Sequence, residues 1–185
     1  MPGGYDVQEV GAPDSLDQLI AHVSATGRIL VWAGASDRTI FGDEEVNHAF
    51  RAWHDWCHYT HKLPFTYAGE IRVAFVQAAH LVRLYGQTPE TERWVAMIFA
   101  EVIGQSAFQE ATGQFPVDQE LFDRLMSQVF AGLAKAAVNS IATGWGSDEA
   151  AITLGASSYL RLGELPLTIL GTLNKMLTAD LAASA

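Results

Sequence analysis

Four of the chain's six histidines (His48, His54, His58 and His61) crowd into residues 47–70, NHAFRAWHDWCHYTHKLPFTYAGE, beside two tryptophans and the only cysteine. Imidazole nitrogens and carboxylates are the ligands that zinc, iron and manganese take. His54 and His58 stand in HxxxH spacing, which brings two nitrogens to one side of a helix. Asn47, Arg51 and His61 fall on the same stripe, about a third of a turn from the apolar stripe Val46, Ala49, Phe50, Trp53 and Cys57. Glu70 follows a short loop, so an antiparallel neighbouring helix brings it alongside. The expectation is one divalent metal ion held by His54, His58 and Glu70, with His61 as a further ligand. Zinc is the first candidate, with iron or manganese as the others. Glu101 completes the shell or serves as a catalytic base, and Asp55, the second catalytic candidate, orients a ligand from behind. A water on such an ion becomes acidic enough to attack an ester, amide or phosphoester.

The same residues admit a structural reading, a hydrogen-bonded seam in which Glu70 and Glu101 pair with His54, His58 and Arg51 and set helix register. Gln77 and Gln105 suit that reading better, because amides are poor ligands for these metals. His48 points away and is expected in solvent. Cys57, on the apolar stripe, reads as a core thiol, His80 as a satisfied half-buried histidine, and Trp53, Trp56 and Trp94 as core.

Helices must position these groups. Ser15 and Gln18 resemble a capping box opening a short helix to about Ala25. RILVWAG (Arg28–Gly34) is rich in β-branched and aromatic residues and, with Thr39–Phe41 across ASDR, suggests a small hairpin. Asp43 caps the next helix, which Pro64 ends near His61. A second long helix covers Tyr67–Tyr85, with Gly86 closing it. Thr88 and Pro89 open a third, reaching about Ala111, whose apolar stripe is Trp94, Met97, Ile98 and Phe108. Glu101 and Gln105 fall on that stripe, where a carboxylate must be paired, protonated or metal-bound. A fourth helix covers about Val117–Ile141. After the GWGS turn, Ser147 caps a short helix, and a last one starts near Pro166. The fold class is mainly α, a bundle of four to six helices with a small β hairpin near the N-terminus. Residues 1–13 read as an irregular arm and 14–185 as one helical domain.

With 185 residues, 49% hydrophobic and 17% charged, the chain is globular and long enough for one substantial core. The net charge of −10 and eleven scattered Lys and Arg argue against nucleic acid as a partner. A lone cysteine excludes an intrachain disulfide and fits a reducing compartment. No run approaches the roughly 20 apolar residues of a membrane helix, and MPGGYDVQEV lacks the features of a signal peptide. The expected location is the cytoplasm, or a virus particle.

HDWCH (His54–His58) resembles the HExxH helix of zinc proteases, with Asp55 where those have glutamate. His54–Asp55 also resembles the pair of HD-domain phosphohydrolases, which would draw on His22 and on Asp118 or Asp123. The run from His48 to Gln77, with its His-Asp helix, PF loop and following Gly-Glu, is similar to short bacteriophage-encoded proteins. That resemblance implies no activity, but adds a role in a virus particle or in host takeover to the expectations. Three function classes result: a metal-binding protein acting as a hydrolase, a non-catalytic assembly protein, and a small-ligand binder without catalysis using the same pocket. The Gly-rich arm and the sparsely charged stretch Ala150–Leu181 point to a homo-oligomer or larger assembly as partner.

Overall fold

A computed structural model describes residues 3–36 and 38–163. The expected helix from Pro166 and most of the apolar stretch to Leu181 lie outside the described residues.

The chain is mainly α, with a two-stranded sheet near the N-terminus. Strand β1 (Tyr5–Gln8) leads to α1 (Leu16–Thr26) and then to β2 (Ile29–Trp32). The strands pair in parallel, Tyr5 opposite Ile29 and Gln8 opposite Trp32. The expected hairpin therefore does not form: Arg28–Gly34 finds its partner upstream, and Thr39–Phe41 is not a strand. Parallel pairing needs a crossover between the strands, which α1 supplies. Part of the arm that read as irregular is thus a strand. Arg28 pins it, reaching the Gly3 and Tyr5 carbonyls and the Asp6 carboxylate. Further along, Trp32 Nε1 donates to the Glu9 carbonyl at 3.0 Å, holding the rest of the arm against the body.

Helix α2 (Glu44–His61) starts where the Asp43 side chain accepts from Val46 N–H, and Glu44 and Glu45 face its positive end. It ends at Lys62 in the left-handed conformation, φ 54°. Thr66 caps α3 (Tyr67–Tyr85) by accepting from Gly69 N–H. Helix α3 is the bundle's axis: Ile71, Val73, Ala74, Phe75, Val76 and Ala78 are at most 1% exposed. It packs along α7 (Asp148–Leu162) and α2. Helices α4 (Pro89–Ile98) and α5 (Gln105–Thr112) are joined by a π-helical segment, Phe99–Gly104, and α4 packs along α6 (Gln119–Ser140). A second π-helical segment, Ile141–Trp145, follows α6. A smaller core of Leu19, Val23, Ile29, Val31 and Ala52 lies beneath α1 and β2.

The first π segment changes which face of the third helical stretch is buried. Wider turns displace the residues on either side from a common face. Val95, Ile98, Phe99 and Val102 are buried there, whereas Trp94 is exposed. Downstream, Gln105 still faces inward, 4% exposed. Among the described residues, no helix is long and apolar enough to cross a membrane.

Candidate metal centre

His54 and His58 are one helical turn apart on α2, and Glu70 lies in the first turn of α3. The loop between the helices is tight. Leu63 N–H donates to the His58 carbonyl at 3.1 Å, and Thr66 N–H to the Pro64 carbonyl at 2.9 Å. Gly69 is required by this reversal, because a Cβ there would stand 1.9 Å from the Pro64 oxygen. The close approach sets Glu70 opposite the histidines. Its Oε2 lies 3.1 Å from His54 Nε2 and 3.3 Å from His58 Nε2. The two Nε2 atoms are 3.0 Å apart.

The other ring nitrogens are already engaged. His58 Nδ1–H donates to the Leu63 carbonyl at 2.8 Å, and His54 Nδ1 lies 3.3 Å from Gln77 Oε1. Such contacts fix the tautomer and leave each Nε2 lone pair facing the partner ring and a carboxylate. Three acceptor atoms converging at 3.0–3.3 Å need a cation among them. Without a metal that cation is a proton. Burial alone would lower the His54 pKa, but the charge and hydrogen bond of Glu70 outweigh it and raise it to about 9. Burial likewise opposes the Glu70 charge, yet His58 and His54 hold that carboxyl down to about 2. A metal fits the same space. Tetrahedral zinc with bonds of 2.0–2.1 Å has ligand–ligand edges of about 3.3 Å. A facial octahedral set of comparable bonds has edges of about 3.0 Å. The three atoms can thus hold an ion, and both geometries lie within the observed spread.

His58 is fully buried, while His54 and Glu70 keep 18% and 15% side-chain exposure. Both line a cleft of about 740 Å³. Asp55 and Glu101 line it too, so both catalytic candidates share a cavity with two of the ligand candidates. Burial pushes the Asp55 carboxyl up to about 6, against the lowering charges of His54 and His58. The orienting role expected of Asp55 falls instead to Gln77 and the Leu63 carbonyl. Glu101 accepts from Gln105 Nε2 at 2.7 Å, and the same nitrogen donates to Asp123 Oδ2 at 2.8 Å. Asp123 is fully buried, and desolvation first, then Glu101, push its carboxyl up to about 10. Burial and the neighbouring Glu101 thus both favour the protonated form of Asp123.

His61 does not join the group. It lies one turn beyond His58, about 4.5 Å further along the axis and rotated about 60° back from it. There it meets the start of α7, with Nε2 3.1 Å from Asp148 Oδ2. Asp148 also takes Arg83 at 2.8 Å and His80 at 3.3 Å, and Trp53 Nε1 donates to His80 Nδ1 at 3.0 Å. This second cluster fastens α7 to α2 and α3. Arg51 pairs with neither glutamate; its guanidinium donates to the Trp32, Gly34 and Ala35 carbonyls. His48 is not solvated but 8% exposed, with Nε2 3.3 Å from the Ala33 carbonyl. Cys57 is a core thiol, 1% exposed, pushed up to about 12 chiefly by burial. Asp118, one of the residues an HD-type site would need, caps α6 and pairs with Arg38 at 3.0 Å.

No family model, no curated protein and no solved structure matches the chain.

Proposed function

We propose that this protein binds one divalent transition-metal ion, zinc first among candidates, through His54 Nε2, His58 Nε2 and Glu70, and acts as a metal-dependent hydrolase. The observation carrying this reading is the convergence of three acceptor atoms whose rings are already oriented from behind. Two histidines and one glutamate, two of them lining a cleft, would be a ligand set of catalytic rather than structural zinc sites. A bound ion supplies an activated water and polarises a carbonyl oxygen. The chain's residues handle the rest. The water oxygen bonds to the acyl carbon and the bond to the leaving group breaks. Asp55, which lines the same cleft and whose carboxyl burial pushes up to about 6, takes the proton from water and returns it to the leaving group.

Metal analysis of the purified protein tests this. One equivalent of ion is expected, lost in both His54→Ala and Glu70→Ala. Metal-free protein whose melting temperature ignores added zinc and chelator would overturn it. A second reading, a non-catalytic assembly protein with a polar seam, draws support from the way His54, His58 and Glu70 satisfy one another with only a proton among them.

A further inference from the structure

The cleft beside the histidines is lined by six carboxylates, those of Glu9, Asp14, Asp55, Glu70, Glu101 and Glu110. Arg51 is the one Lys or Arg among its lining residues. Its guanidinium is committed to three backbone carbonyls and lies over the Trp32 ring, 5.7 Å from the centroid. Among the described residues, Glu9, Asp14, Asp55, Glu101 and Glu110 take part in no ion pair, and only Glu70 is matched, by the histidines. A divalent ion at the centre would still leave the carboxylates in excess.

One of these acids is built into position. Glu101 is held by Gln105 Nε2, with the fully buried Asp123 behind it. Asp123 Oδ1 has no hydrogen-bond donor among the described residues. A carboxylate fixed in a partly buried wall, without a cation of its own, favours a positive ligand. Aromatic rings complete the wall. Tyr67 and Phe115 line the cleft, Phe115 half exposed, and such rings add attraction for an organic cation.

Resting on the metal-site reading above, we propose that the cleft takes a cationic organic substrate. Its ammonium or guanidinium group is neutralised by the carboxylate wall while its hydrolysable bond lies at the His54, His58 and Glu70 centre. Amides and esters of basic compounds fit this description. Phosphoesters, anionic at neutral pH, do not.

Cobalt-loaded protein provides the test, because the visible spectrum of the ion reports both its binding and the arrival of a hydroxamate. Three probes of matched length differ at the far end: 6-aminohexanohydroxamic acid, hexanohydroxamic acid and adipic monohydroxamate. The ammonium probe should bind tightest and the carboxylate probe weakest, with at least about a tenfold span at low salt that narrows as salt screens the wall. Glu9 and Glu110 are exposed, so their glutamine variants leave the packing intact. Each of Glu9→Gln and Glu110→Gln should shrink the span by about two- to fivefold. Equal or reversed affinities, with the cobalt spectrum still responding to hydroxamate, would overturn the charge preference and leave the metal site standing. Absence of a cobalt spectrum would overturn the metal reading, and this proposal with it.

Discussion

On the proposed reading, an ion entering the His54, His58 and Glu70 group must displace the proton that the raised His54 pKa keeps on that ring in the metal-free protein. The His54 pKa of about 9, set by the Glu70 oxygen 3.1 Å away, means that the ring is protonated at pH 7. Freeing its Nε2 there costs about 3 kcal/mol, because two pKa units correspond to about 2.7 kcal/mol. Glu70, held down to about 2, gives up no proton in this range. Apparent zinc affinity should therefore rise about tenfold per pH unit from 7 to 9, about a hundredfold in all, and then level off. Competition against a chromophoric chelator, corrected for the chelator's own titration, measures the affinity. Calorimetry in buffers of different ionisation enthalpy counts the protons, and about one per ion is expected. In the metal-free protein the sign is opposite. The raised His54 pKa gives stability that is complete below about pH 6.5 and lost as pH rises through 9. The lowered Glu70 pKa gives stability that is present above about pH 4.3 and lost as pH falls through 2. An affinity that stays flat between pH 7 and 9, with no proton released, would refute this account of the site.

Three further outcomes follow from the surrounding contacts. Asp123→Asn keeps an acceptor for Gln105 and a donor for Glu101, and removes the cost of keeping a carboxyl protonated at pH 7, up to about 4 kcal/mol. Urea unfolding should show that gain shrinking as pH falls towards 4, and a loss at pH 7 would contradict the protonated pairing. Asp148→Ala strips His61, His80 and Arg83 of their shared partner and should cost about 2 kcal/mol, read from thermal melting at neutral pH. Gly69→Ala drives a methyl group into the Pro64 carbonyl, so it should cost about 1–3 kcal/mol. It should also weaken zinc binding at least tenfold by moving Glu70, and unchanged affinity would detach the loop from the site.

Most of the bundle could be read along the chain because its helix boundaries are written in local chemistry. Asp43, Thr66, Thr88 and Ser147 each accept from a first-turn N–H. The pairing of His54, His58 and Glu70 was legible for a similar reason, since helical spacing and a short loop bring them together. What escaped depends on distant or backbone partners. His61 turns to Asp148, which lies in another helix far along the chain. The Leu63 carbonyl that orients His58 has no side-chain signature. Gln77, recognisable as an inward amide, holds His54 from behind rather than standing in place of a ligand. The partner of β2 lay in a glycine-rich segment with little strand character. Trp94 was misplaced because a π turn breaks the 3.6-residue period on which stripe reading depends.

The tight reversal between α2 and α3 has a consequence for how the chain folds. All three ligand candidates fall within residues 54–70, so bringing them together requires only the closure of one short loop, an inexpensive and fast event. The bundle as a whole must wait for contacts between segments far apart in sequence, such as α3 with α7. An ion captured by this hairpin would engage before the barrier to folding is crossed. Its effect would then appear mainly in the rate at which the native state forms, and less in the rate at which it is lost.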